Sequence, residues 1–173
     1  MPHIYQDADG GDYGEGMKER MYALAVSLSA PCIVEIGTRS GNSLRIWAAA
    51  VEATSGAVFS IDCVYRPDER GGPPWPIPAR CVLFVASSHL LEWARPIDLL
   101  YIDGDHTTVG CQRDLEHWWP HVKSGGHVLL HDVMNEGHYL DLLLPVVHKW
   151  AREHQLTYTI WPNQCGMAHF VKP

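Results

Sequence analysis

The chain has 173 residues, 46% of them hydrophobic and 19% charged, with a formal net charge of −7. That length suits one domain with a substantial core, and that composition excludes a disordered chain. The acidic balance, without a Lys/Arg cluster anywhere, argues against a nucleic-acid surface, whose usual footprint is a basic patch.

Residues 1–14 are rich in Gly, Asp and Tyr and read as a loop or mobile lid. From Glu15 to Ser29, Met17, Met21, Leu24, Ala25 and Leu28 recur at helical spacing. Pro31 bars continuation, and Cys32–Ile36 reads as a first buried strand. A tight turn, Gly37–Ser43, leads into a helix from Leu44 to Thr54, which Ser55-Gly56 stops. Ala57–Asp62 is a second strand that ends in an acid.

Residues 64–79 hold five prolines and two glycines, which exclude regular structure and suit a functional loop, with Trp75 either covering a substrate or packing on the surface. A third strand follows at Arg80–Ala86, then a short helix at Ser88–Ala94 and a fourth strand at Ile97–Ile102. The next helix runs from Thr107 or Thr108 to Val122, with Gly125-Gly126 past its end. His127–Leu130 makes a fifth strand, and Glu136–His154 a helix bent at Pro145. Leu156–Trp161 and Met167–Val171 alternate apolar and polar around the turn Pro162–Gly166, which predicts a closing hairpin. Strands alternating with helices predict an α/β fold, a mostly parallel sheet covered on both faces, in one domain spanning 1–173.

No apolar run approaches the roughly 20 residues of a membrane span. The N-terminus lacks the basic start and apolar stretch of a signal peptide, so a cytoplasmic location is expected. The five cysteines are odd in number and widely spaced, as suits reduced, buried thiols.

The turn Glu35-Ile-Gly-Thr-Arg-Ser-Gly41 sits between a buried strand and a helix, where glycine lets a ligand approach the backbone. Asp62 ends the next strand, a common place for an acid that takes ribose hydroxyls. Together they predict a nucleoside-bearing cofactor. Arg39 breaks the Gly-x-Gly-x-x-Gly fingerprint of dinucleotide sites, and the Glu35 carboxylate would repel a pyrophosphate but suit an amine-bearing ligand.

Two apolar runs end in acids and histidines, Asp98-Leu-Leu-Tyr-Ile-Asp-Gly-Asp-His106 and Gly126-His-Val-Leu-Leu-His-Asp-Val133. Ligands in open α/β sheets bind outside the carboxyl ends of the strands, so both runs feed one polar site. Asp105 suits a cap of the following helix, and Asp114 a structural pairing with Arg113 or a backbone group.

Together with Arg113-Asp114-Leu115, these motifs resemble the class I S-adenosylmethionine-dependent methyltransferases, and among them the metal-dependent macrolide-sugar and catechol O-methyltransferase-like group. The resemblance implies a Rossmann-like, three-layer, seven-stranded sheet whose last strand alone is antiparallel. It implies S-adenosylmethionine contacts at Glu35, Gly37, Thr38, Gly41 and Ser43, the ribose on Asp62, and the adenine near Ser87 and Ser88. Arg39 stands where the family's middle glycine would be. It further implies a divalent metal, Mg²⁺ or Mn²⁺, on Asp103, His131 and Asp132, with His106 as the base and Asp103 shared by both roles. His131 stands where an acid is more usual.

Metal and base fit the chemistry, because methyl transfer to oxygen needs a positioned, deprotonated hydroxyl. A divalent ion lowers a hydroxyl's pKa, and histidine accepts protons near neutrality. The expected acceptor is a small hydroxylated molecule, a sugar, glycoside or phenolic. With little chain beyond the sheet, a homodimer or higher homo-oligomer is expected to complete the pocket. A metal-dependent hydrolase or hydroxylase-like protein on this fold, and a metal-independent methyltransferase, are the alternatives.

Overall fold

The computed structural model describes residues 16–64, 77, 79–134, 141–161 and 165–173. The expected lid at 1–14, almost all of the Pro-rich loop 64–79 with Trp75, the start of the helix expected from Glu136, and part of the turn at 162–166 lie outside them.

The β-branched and leucine-rich runs pair as parallel strands: β1 (Cys32–Ile36), β2 (Ala57–Asp62), β3 (Cys81–Val85), β4 (Ile97–Ile102) and β5 (Val122–Leu130). The chain closes with β6 (Tyr158–Trp161) and β7 (Met167–Val171), and the sheet order is β3-β2-β1-β4-β5-β7-β6. β7 runs antiparallel to both β5 and β6, so it alone opposes the rest. The strand order reverses between β1 and β4, which places a ligand cleft outside their carboxyl ends.

Period-two alternation sorts the core onto two faces. Val34, Ile36, Leu100 and Ile102 pack with Leu115, Trp118 and Trp150 from the helices α3 (Thr108–Trp118) and α4 (Leu144–Glu153). Ile33, Leu99 and Tyr101 face the other way, against Met17, Met21 and Trp47 from α1 (Met17–Val26) and α2 (Asn42–Thr54). Glu35 shares that second face, which buries a carboxyl among apolar side chains.

Several expectations change. The helix expected to reach Val122 ends at Trp118, a 3₁₀ turn follows at Trp119–His121, and Val122 already opens β5; the last helix starts at Leu144. The helix expected at Ser88–Ala94 is only a 3₁₀ turn at Ser88–Leu90. Gly125-Gly126 does not follow a helix but lies within β5, where the register against β4 breaks between Ile97 and Leu99 and Gly125 takes a φ of 74°. Pro145 does not bend α4; it sits in the first turn, where a proline's missing N–H costs nothing. No helix among the described residues is long and apolar enough to cross a membrane.

Candidate active site at the strand ends

The carboxyl ends of β1, β2, β4 and β5 open onto one cavity of about 1020 Å³. Gly37, Thr38, Ser43, Asp62, Ser87, Ser88, Asp103, His106, His131 and Asp132 all line it, so the structure brings together ten of the twelve residues expected there.

The first turn explains its own sequence. Gly37 has a φ of 95°, and its N–H donates to the Ile61 carbonyl at 2.8 Å. Arg39 also lies in the left-handed region, at φ 42°, where a glycine would sit without strain. Asp62 supports that conformation, because its Oδ2 accepts the Arg39 N–H at 2.8 Å while Oδ1 accepts that of Val64. The acid at the end of β2 therefore shapes the turn as well as facing the cavity.

The two remaining expected residues sit elsewhere. Gly41 does not line the cavity but precedes α2 as a left-handed N-cap, φ 78°. Glu35 is fully buried beneath the cavity wall. Ser60 donates to its Oε2, and the Thr38 hydroxyl, 2.5 Å away, donates to Ser60 in turn, since Ser60 has a single hydrogen to give. Burial pushes the Glu35 carboxyl up to about 8 against the pull of the Ser43 and Ser60 hydroxyls. A neutral acid sealed behind hydroxyls does not meet a ligand's amine directly, which corrects the role expected of Glu35.

The polar cluster of β4 and β5 is tightly knit. Asp103 Oδ1 lies 3.2 Å from His106 Nε2 and 3.1 Å from His131 Nδ1, and its Oδ2 accepts the Tyr101 hydroxyl at 2.9 Å. Burial acts to raise the Asp103 carboxyl, but His131 and His106 outweigh it and hold it well below the usual carboxylate range. The second nitrogen of His106, Nδ1, is 3.1 Å from Asp132 Oδ2. Burial lowers the affinity of His106 for a proton, and the carboxylates of Asp103 and Asp132 reverse that and raise it.

Asp103, His131 and Asp132 each offer a ligand atom within 4.8 Å of the others, the spacing of a metal's donor set. Asp132 Oδ1 is buried without a hydrogen-bond partner among the described residues and lies 3.4 Å from His131 Nδ1. An orphaned carboxylate oxygen in an O,N,O set is what a divalent cation satisfies. Asp132 also holds a φ of 57°, the kind of backbone strain that collects at functional sites.

Several contributors escaped the sequence reading. Tyr101 looks like a strand apolar residue, yet its hydroxyl orients Asp103. Asp141 accepts the Thr108 N–H at 2.7 Å and donates its own N–H to the His106 carbonyl, locking the turn that carries the histidine. Asp105 does not cap α3 as expected: Thr107 is the N-cap, its hydroxyl accepting the Gly110 N–H at 3.0 Å, and Asp105 accepts the Thr107 N–H just before the helix. Asp114 pairs with Ser88 rather than with Arg113.

Residues 34–133 match a family described as a methyltransferase domain. The fold is similar to that of the methyltransferase PaMTH1 of Podospora anserina, solved with S-adenosylhomocysteine: 14% identity, 100% of this chain and 89% of that one, TM-score 0.73. It is similar to an O-methyltransferase of Bacillus cereus, also with S-adenosylhomocysteine, at 17% identity over 93% and 83% of the chains, TM-score 0.67. The O-methyltransferase TomG of Streptomyces achromogenes, solved with S-adenosylmethionine, matches at 16% identity over 90% and 79%, TM-score 0.63.

Proposed function

Because this chain belongs to the methyltransferase-domain family that its residues 34–133 match, we propose that it is an S-adenosylmethionine-dependent, divalent-metal-assisted O-methyltransferase of a small hydroxylated molecule. The carrying observation is the Asp103, His131 and Asp132 donor set on the wall of the same cavity as the Gly37 turn. Relatives of this fold named as O-methyltransferases and solved with the methyl donor or its product support the donor assignment.

In this reading Gly37 and Thr38 receive the amino-acid end of the donor, Asp62 the ribose, and Ser87 and Ser88 the base. A divalent ion held by Asp103, His131 and Asp132 would acidify an acceptor hydroxyl beside it. Mg²⁺ and Mn²⁺ suit the carboxylate oxygens, and the imidazole favours Mn²⁺ of the two. When bound, the donor would supply an activated methyl group, and His106 would take the proton that the acceptor hydroxyl gives up on accepting it. The carboxylates of Asp103 and Asp132 flank the two nitrogens of His106 at 3.2 and 3.1 Å and orient the ring. Tyr101 and Asp141 hold the two ends of this base-and-metal segment in place.

Calorimetric titration with S-adenosylhomocysteine, with and without Mn²⁺ or Mg²⁺, tests both halves. Binding of the nucleoside together with saturable metal binding that Asp132→Ala abolishes is the expected result. No nucleoside binding removes the methyltransferase assignment, and nucleoside binding without any metal binding reduces the protein to a metal-independent methyltransferase.

A further inference from the structure

One buried acid on the cavity wall has no part in the chemistry above. Asp114, in the middle of α3, is only 3% exposed, yet it lines the cavity. Among the described residues its side-chain hydrogen bond comes from Ser88, whose hydroxyl donates to Asp114 Oδ1 at 2.5 Å across a separation of 26 residues. Burial pushes the Asp114 carboxyl upward against the pull of Ser88, so the acid sits there at a cost.

The consequence falls on Ser88. A serine hydroxyl has one hydrogen to donate and two lone pairs to accept with. Asp114 takes the hydrogen, which leaves the Ser88 oxygen as an acceptor only. Ser88 is half-buried and lies at the nucleoside end: Asp62 pairs with Val85 at the tips of β2 and β3, and Ser87 and Ser88 follow just beyond.

We propose that Asp114 is a positioning residue that locks the Ser88 hydroxyl as an acceptor, so that the cavity selects a base carrying an exocyclic amine over one carrying a carbonyl there. The inference rests on the S-adenosylmethionine reading and adds to it a determinant of base identity contributed from α3. An amino group donates to the locked oxygen. A carbonyl in its place faces that oxygen lone pair to lone pair, and the hydroxyl cannot turn to greet it while Asp114 holds its hydrogen.

The test compares dissociation constants for S-adenosylhomocysteine and its deaminated analogue S-inosylhomocysteine, by calorimetry on the full chain. Wild type prefers the amine by about tenfold or more. In Asp114→Ala the freed hydroxyl can donate to a carbonyl, and the ratio collapses toward one. Asp114→Asn keeps an acceptor for Ser88 and restores most of the preference. Ser88→Ala, a change on a half-buried turn, also removes the preference and carries the test if the Asp114 variants fail to fold. Equal affinity of wild type for both ligands overturns the inference while leaving the donor assignment intact. So does a parallel loss of both affinities in Asp114→Ala with the ratio unchanged, which marks a purely structural acid. Binding of neither ligand to wild type overturns the donor assignment and this inference with it.

Discussion

Gly37 packs so closely on Asp103 that a Cβ built on the glycine would lie 2.1 Å from the Asp103 carbonyl oxygen. The turn after β1 and the end of β4 therefore touch backbone to backbone, and the proposed donor loop and metal ligand share one contact. Gly37→Ala meets this wall and the positive φ together. It is expected to lose about 2 kcal/mol or more of stability by chemical denaturation, and to lose methyl transfer more completely than that figure implies. An active, fully stable alanine variant would show that the contact yields.

The Tyr101 hydroxyl donates to the Asp103 side chain at 2.9 Å, and the Tyr101 ring meets Trp47 edge-on at 5.4 Å. Tyr101→Phe keeps that packing and removes only the hydroxyl. Metal affinity should fall about tenfold or more, the usual effect of losing a group that orients a ligand. The melting temperature, read by circular dichroism, should fall by several degrees, since a hydrogen bond to an ionised carboxylate contributes roughly 1.5–3 kcal/mol.

Glu35 gives the stability a pH dependence of defined sign. Its carboxyl titrates near 8 when folded and near the ordinary 4.5 when unfolded. Between those values the native state holds the extra proton, so raising the pH favours unfolding by about 1.4 kcal/mol per unit. The contribution is fully present below 4.5 and is lost as the pH passes 8. Glu35→Gln cannot titrate, so its stability relative to wild type should rise across that window. Parallel denaturation curves for the two proteins at pH 5 and pH 8 would contradict the assignment.

Asp141 fastens the segment that carries His106, through the Thr108 N–H and the His106 carbonyl. Asp141→Ala is expected to cost about 1 kcal/mol, as the loss of a helix-end partner does. It should slow turnover while leaving S-adenosylhomocysteine affinity unchanged, because the nucleoside end of the cavity lies on other strands. A weakened nucleoside affinity with normal turnover would reverse that order of effects.

Strand positions, the α/β class and the gathering of Asp103, His106, His131 and Asp132 were legible in the sequence because they rest on local pattern. Buried parallel strands must be apolar runs, and polar residues at their carboxyl ends must meet in one cleft. Boundaries set by competition between local and tertiary forces were not legible. Gly125-Gly126 reads as a helix stop, and only the pairing of β5 with β4 and β7 draws it into a strand.

The sequence by itself determined that the chain would build a parallel sheet with a glycine turn at one strand end and an acid–histidine cluster at two others. Periodicity and side-chain chemistry act over a few residues and leave their mark in order along the chain. Only the tertiary structure decided which groups share a proton or a hydrogen. Glu35 became a sealed, neutral acid because strand alternation turned it into the apolar layer with Trp47 and Tyr101. Asp114 met Ser88, and His106 came to rest between two carboxylates, because separate elements fold onto one cleft. Such contacts depend on distances between residues remote in sequence, and no local pattern encodes them.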